Sequence, residues 1–132
     1  MAGTLVANTI NTDTGLFSTN NAYSGIAKAW VSFDGLTGST ATIRGSFNVS
    51  SVTRNGTGDY TVSFTTSMPN INYSYNVSNA YYYSAGGLAA QLNVQTGGTE
   101  SAPTTSSCRF VIVAFNSTPF DCKYVNVAVM SS

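Results

Sequence analysis

The residues that most often perform acid-base chemistry are scarce in this chain. Its 132 residues contain no histidine, so a Ser-His-Asp arrangement is excluded and the commonest general base is missing. A glycosidase needs two carboxyl groups that face each other across a cleft, and the sequence leaves open that Asp34 and Asp59 meet in this way. The acids are nevertheless dispersed, at Asp13, Asp34, Asp59, Glu100 and Asp121. We therefore predict no catalytic residue, and a polysaccharide-degrading enzyme is the remotest functional hypothesis.

Ligands for a metal or a cofactor are equally scarce. Cys108 and Cys122 are the only cysteines, and two cysteines without histidine make a poor zinc site. No glycine-rich phosphate loop precedes a predicted helix. If the last two strands form a hairpin about residues 117–119, Cys108 lies opposite residues near Val129 and too far from Cys122 for a disulfide, although another register would change this. We expect no cofactor, no metal and two free thiols, which suits a reducing compartment.

Aromatic side chains are the best candidates for binding. Their rings stack on the C–H faces of sugars, while phenol hydroxyls and Asn or Gln amides pair with sugar hydroxyls without needing charge. The consecutive Tyr81, Tyr82 and Tyr83 cannot all point the same way in a strand, so at least one faces water, a loop or another subunit. Trp30 is the single tryptophan and falls on the polar side of its predicted strand. These four residues are the predicted ligand-binding residues.

The exposure of Trp30 decides between three interpretations. Alternation over residues 26–34 puts Trp30 on the face opposite Val31. An exposed tryptophan would serve as a sugar platform or as an anchor between subunits, whereas a second sheet over that face would bury it. Tyr73 and Tyr75, by contrast, alternate with polar residues on an apolar face and are predicted to fill the core.

The elements that position these residues are strands, and the clearest are two arms within residues 41–68. The second arm, from residue 59 to 68, carries apolar side chains on one face only, which predicts a half-buried strand. In the first arm the alternation of apolar and polar residues shifts by one position at residues 50–51, as an extra, bulged residue would cause. Asn55-Gly56 predicts a tight reversal between the arms, with Gly58 available for a second unusual backbone angle. We predict a β-hairpin with one buried face and one solvent-exposed face.

A resemblance to a known family is carried by this region. Its segments are KAWVSFDG at residues 28–35, IRGSFNVSSVT at 43–53 and NGTGDYTVSFTTSMP at 55–69. Together they resemble a block found in tail-fibre and other virion structural proteins of tailed bacteriophages, and TLVANTI at residues 4–10 is similar to the start of such proteins. The resemblance implies a virion role rather than a reaction, with assembly in the host cytoplasm and a place on the tail or the particle surface. It does not extend past Asn70.

The composition limits the partners. Only 8% of residues are charged and the formal net charge is zero, so an electrostatic site for nucleic acid or for an anionic membrane is not expected. No apolar run is long enough for a membrane-spanning helix, and we expect no membrane insertion. Uncharged polarity suits sugar recognition, and it equally suits a protein packed among neighbours.

Seven or eight short strands with close turn signals, and no 3.6-residue pattern, predict an all-β fold. We expect an antiparallel β-sandwich, jelly-roll-like, with an extended N-terminal arm. Residues 1–25 are too polar for a core of their own and form either a partly ordered arm or an attachment and oligomerisation segment. Residues 26–132 form the sandwich domain. Its last two strands, over 109–115 and 123–130, are apolar on both faces and are therefore predicted to be central or covered by a neighbour.

Three functions follow from these observations. The first is a tail-fibre or fibre-like receptor-binding subunit, a homotrimer whose arm joins other virion proteins and whose loops contact a host surface glycan or protein. The second is a capsid or tail decoration protein that reinforces the particle without binding a receptor. The third is the remote enzymatic alternative.

Overall fold

Ten β-strands form almost all of the regular structure that is described. The computed structural model describes Gly3 and residues 9–12, 15–18, 25–80, 89–92, 101–114 and 118–131, with backbone alone for β1, β2 and β8. The strands are β1 (Thr9–Thr12), β2 (Gly15–Ser18), β3 (Ala29–Asp34), β4 (Thr42–Phe47), β5 (Val49–Gly56), β6 (Asp59–Phe64), β7 (Ser74–Ala80), β8 (Ala89–Leu92), β9 (Ser107–Val113) and β10 (Tyr124–Met130).

Strands β3 to β10 form two four-stranded antiparallel sheets, in the orders β4-β3-β10-β7 and β5-β6-β9-β8. The chain passes from one sheet to the other after β4, β6, β7 and β9. The predicted all-β antiparallel sandwich is confirmed. Because β3 and β10 are neighbours in the middle of the first sheet, residues far apart in the sequence share its outer surface.

The core lies between the two sheets and is built by alternation. From the first sheet, β3 buries Val31 and Phe33, and from the second, β6 and β9 bury Tyr60, Val62 and Phe110, all at 1% exposure or less. The rings of Phe33 and Tyr60 meet edge to face across the sheets, with centroids 5.2 Å apart, a favourable aromatic geometry. The alternation predicted for β3 and β6 is confirmed.

Tyr73 and Tyr75 belong to the core side, as predicted. Tyr73 is buried, and its hydroxyl donates hydrogen bonds of 2.8 Å to the carbonyl oxygens of Thr104 and Ser107. Tyr75 is partly buried and packs against the same cluster. The buried Tyr73 hydroxyl therefore has hydrogen-bond partners in the segment that leads into β9.

The predicted hairpin is present as β5 and β6, but its first arm is divided into two strands that belong to different sheets. The break is at Asn48, which has φ 54°. Its Nδ2 donates to the carbonyl oxygens of Lys28 and Thr66, at 2.9 and 3.0 Å, and its Oδ1 accepts the Thr66 N–H at 2.7 Å. Asparagine tolerates this left-handed backbone conformation. Asn48 therefore lets the chain pass from one sheet to the other, and its side-chain hydrogen bonds fix the position of this bend. The predicted bulge is confirmed by a register shift between Val49 and Ser51.

The hairpin turns at Gly58 and not at Asn55-Gly56. Gly56 ends β5 and pairs with Asp59, whereas Gly58 has φ 70°. A Cβ at position 58 would lie 2.5 Å from the carbonyl oxygen of Ile112 and 2.6 Å from the backbone nitrogen of Phe120. The prediction of a reversal at Asn55-Gly56 was wrong, whereas the unusual backbone angle predicted for Gly58 is confirmed. The turn packs so closely on Ile112 and Phe120 that only glycine fits at position 58.

The last two strands are central, as predicted, but they do not form a hairpin with each other. β9 lies between β6 and β8, and β10 lies between β3 and β7 in the opposite sheet. The register that placed Cys108 opposite Val129 is therefore wrong. Cys108 and Cys122 are both free and buried, so the prediction of two free thiols is confirmed on other grounds.

The N-terminal segment contains a separate two-stranded antiparallel sheet. Thr9 of β1 pairs with Ser18 of β2, and Thr12 pairs with Gly15. This hairpin falls within residues 1–25, the segment predicted to be an arm. Its role in attachment, and the domain boundary after residue 25, stay predictions.

Candidate binding face

Trp30 lies on the outward face of the sheet β4-β3-β10-β7. It is 44% exposed, while its neighbours Ala29 and Val31 are buried beneath it. The second sheet packs against the opposite side, so the interpretation in which a second sheet covers Trp30 is wrong. An exposed tryptophan ring is available for contact with a ligand or a partner.

The register brings side chains from four strands around Trp30. Phe47 of β4 lies opposite Trp30, Trp30 lies opposite Ala128 of β10, and Ala128 lies opposite Asn76 of β7. The next row along the sheet runs from Gly45 through Ser32 and Asn126 to Ser78. We call this outward surface the Trp30 face. It comprises Trp30, Ser32, Asp34, Arg44, Gly45, Phe47, Asn76, Ser78, Tyr124, Asn126, Ala128 and Met130.

The indole of Trp30 lies partly over Gly45. A Cβ at position 45 would be 3.5 Å from Cζ3 and Cη2 of Trp30, which is ordinary van der Waals contact. The ring therefore leans diagonally across the sheet onto a residue without a side chain. This support holds the indole at a defined place on the Trp30 face.

Tyr124 is held at the other end of the face by Arg44. The guanidinium carbon of Arg44 lies 4.5 Å from the centre of the Tyr124 ring, within the range of a cation–π contact. Arg44 Nη2 donates to Asp34 Oδ2 at 2.7 Å, and Nη1 donates to the carbonyl oxygen of Phe33. The charges of Arg44 and Asp34 compensate each other, so the pair adds no net charge to the face.

Between the two rings lie uncharged polar side chains. Asn76, Ser78 and Asn126 are exposed and Ser32 is half-buried. Within the described part of the chain, none of these four side chains makes a hydrogen bond to protein. Their hydroxyl and amide groups are open to a ligand.

The outer surface of the second sheet is different. Among the described side chains, the large exposed hydrophobic residues on strands are Trp30, Phe47, Tyr124 and Met130, all of which lie on the Trp30 face. On the second sheet some polar side chains bond to each other: Arg109 pairs with Asp59 at 2.7 Å, and Asn55 donates to Asp59 and Thr61. Among the described strand residues, the large exposed hydrophobic side chains are thus concentrated on one outer surface of the sandwich.

Of the four predicted ligand-binding residues, Trp30 is on this face, and Tyr81, Tyr82 and Tyr83 lie outside the described residues. Sequence reasoning missed Phe47 and Tyr124. Unbroken alternation would put Phe47 in the core with Ile43, but a register shift between β3 and β4 reverses the phase between them. Tyr124 joins the face only because β10 returns beside β3, a pairing that no local pattern indicates.

The described acids do not form a catalytic pair. Asp34 lies on the first sheet and Asp59 on the second, and each is bound by its own arginine. Asp121 is used internally: its Oδ1 accepts hydrogen bonds from the Tyr60 hydroxyl at 2.8 Å and from the Gly58 N–H at 2.7 Å. These three carboxylates serve ion pairs and backbone geometry.

Arg54 completes the environment of Asp121, with Nε donating to Oδ1 at 3.0 Å. Burial alone would raise the pKa of Asp121, but the hydrogen bonds from Arg54, Gly58 and Tyr60 outweigh it and lower this pKa from its ordinary value. Burial, followed by the hydrogen bond to Asp121, raises the pKa of Tyr60. Asp121 is therefore a charged group that fixes the hairpin turn to the segment before β10.

The two thiols are unsuited to nucleophilic chemistry. Burial raises the pKa of Cys108 to about 12 and that of Cys122 to about 11, so neither forms much thiolate at neutral pH. Across the described ranges, no group of three or more Cys, Asp and Glu side chains is arranged to hold a metal ion.

Comparisons of the chain with models of known protein families, with curated proteins and with solved structures gave no match. None of the described segments is a helix that is long and apolar enough to cross a membrane.

Proposed function

We propose that this protein is a virion structural protein of a tailed bacteriophage, a receptor-binding subunit that attaches to the host cell surface through the Trp30 face. The family assignment rests on the sequence block at residues 28–69. The choice of attachment over pure reinforcement rests on one observation: Trp30 is 44% exposed on the surface that carries the large exposed hydrophobic side chains of the described strands.

Large exposed apolar side chains that gather on one surface mark sites of interaction, whereas singly scattered ones do not. Trp and Tyr supply much of the binding energy where proteins meet partners. Here the two rings are held in place by Gly45 and Arg44, so little side-chain entropy is lost when a ligand binds. Such preorganisation favours recognition.

The assembly proposed for this subunit is a homotrimer that joins other virion proteins through residues 1–25. Light scattering of the purified protein tests this part separately, because a trimer has three times the 13.8 kDa mass of the chain. A decoration protein remains the alternative role, and it is favoured if the Trp30 face is buried between subunits of such an assembly.

Binding of the labelled protein to a panel of bacterial strains tests the attachment role. We expect the native protein to bind at least one strain and Trp30→Ala to lose most of that binding. Ile71→Ala is the matched control, because Ile71 is 56% exposed but precedes β7 and lies off the Trp30 face. Binding of no strain, or equal binding by Trp30→Ala, would count against attachment through this face.

A further inference from the structure

The two central rows of the Trp30 face carry no charge. The two complete rows across it, from Phe47 to Asn76 and from Gly45 to Ser78, contain no charged residue. Arg44 and Asp34 at its end form an ion pair with each other. An anionic or cationic ligand would therefore find no uncompensated partner within these rows.

The face also combines stacking surfaces with open hydrogen-bonding groups. Tyr124 lies four residues along β10 from Ala128, the partner of Trp30, which separates the two aromatic positions by about 14 Å along the strand. The hydroxyl of Ser32 and the amide of Asn126 lie in the row between them. A pyranose ring has an apolar C–H face for stacking and an equatorial rim of hydroxyls that both donate and accept.

We propose that the Trp30 face is a binding site for a neutral, hexose-containing glycan, which stacks on Trp30 and hydrogen-bonds to Ser32, Asn126 and the neighbouring Asn76 and Ser78. The proposal deepens the proposed function and rests on it. It names the chemical class of the receptor.

A second copy of this chain fits the same face less well. An interface between copies would bury four polar side chains that have no protein hydrogen bond on this surface, and each buried group left unpaired is costly. Sugar hydroxyls satisfy such groups because each can serve as donor or acceptor. The mixture of aromatic and amide side chains therefore favours a glycan over a flat contact between subunits.

Trp30 supplies its own signal for the test, because it is the single tryptophan of the chain. The probes are neutral oligosaccharides of glucose, galactose and N-acetylglucosamine, with polygalacturonate as the anionic comparison. We expect at least one neutral oligosaccharide to change the Trp30 fluorescence saturably, and Asn126→Ala to weaken its binding several-fold. Ile71→Ala should leave the titration unchanged. No response to any neutral sugar, or a stronger response to polygalacturonate, would overturn the proposal.

Treatment of bound bacterial cells separates this inference from the proposed function. Periodate, which cleaves the vicinal diols of sugars, should abolish binding of the native protein, and protease should spare it. If protease abolishes binding and periodate does not, the receptor is a protein: the glycan assignment fails while the attachment role stands. If untreated cells of every strain fail to bind, the attachment role itself fails.

Discussion

At the scale of single residues, Asp121 is the polar group on which the packing of the hairpin turn depends most. It joins Arg54, the Gly58 N–H and the Tyr60 hydroxyl, which also donates to the carbonyl oxygen of Gly35 at 2.9 Å. Tyr60 is fully buried at the centre of the core. Loss of the carboxylate would leave the Arg54 guanidinium without its ion-pair partner. It would also weaken the hydrogen bond that attaches the Gly58 turn to the segment before β10.

Asp121→Asn should lower the free energy of unfolding by about 1–3 kcal/mol, because it weakens the hydrogen bonds to the buried Tyr60 hydroxyl and to the Gly58 N–H of the turn. Asp59→Asn is the matched control. It also removes an arginine-bound carboxylate with the same 19% side-chain exposure, but one that is bound by the side chains of Asn55 and Arg109, and it should cost about 1 kcal/mol or less. Urea denaturation of the three proteins at pH 7 measures the difference, and equal losses in the two variants would contradict the role given to Asp121.

The same residue predicts a pH dependence. Because the pKa of Asp121 is lower in the folded chain than its ordinary 3.8, its stabilisation is complete at neutral pH and is lost as pH falls through the folded-state pKa. The stability gap between the native protein and Asp121→Asn should therefore narrow as the pH is lowered below 4. A gap that stays constant to pH 2.5 would show that protonation of Asp121 is not linked to folding.

At the scale of elements, the central hairpin shows what local pattern can and cannot predict. Period-two alternation predicted β6 and the bulge at residues 50–51 correctly, because both follow from a hairpin that has one buried face and one face exposed to solvent. The corner at Asn48 was not predictable in this way, since the apolar residues continue on both sides of it. Local pattern predicted an unusual backbone angle at Gly58 but placed the reversal at Asn55-Gly56, because contacts with Ile112 and Phe120, far along the chain, determine the turn.

Gly58→Ala tests this account of the turn. A methyl group there would collide with backbone atoms of Ile112 and Phe120, and alanine at positive φ is strained, so we expect a loss of about 2–4 kcal/mol. Gly56→Ala is the control, because no atom lies within 4 Å of a Cβ at position 56. Thermal melting compares them, and a larger loss for Gly56→Ala would place the reversal back at Asn55-Gly56.

At the scale of the whole molecule, the fold class was predictable but the candidate site was predictable only in part. Short alternating strands define a sandwich whatever their order. The order itself depends on long-range pairing, and it is the placement of β10 beside β3 that brings Tyr124 and Asn126 to the face of Trp30. Sequence reasoning therefore named Trp30, which lies on this face, but not the residues that strand pairing brings around it.

We propose that the outward face of β4-β3-β10-β7 is the surface that contacts the host cell. Nuclear magnetic resonance measures this directly on a chain of 13.8 kDa, since Trp30 gives a single indole N–H signal. Polysaccharide extracted from a strain that the protein binds is added to the ¹⁵N-labelled protein. We predict shifts of the Trp30 indole and of the side-chain amides of Asn76 and Asn126, with the amide of Asn55 on the second sheet unchanged. Shifts confined to Asn55 and the second sheet, with the Trp30 indole unmoved, would contradict the account.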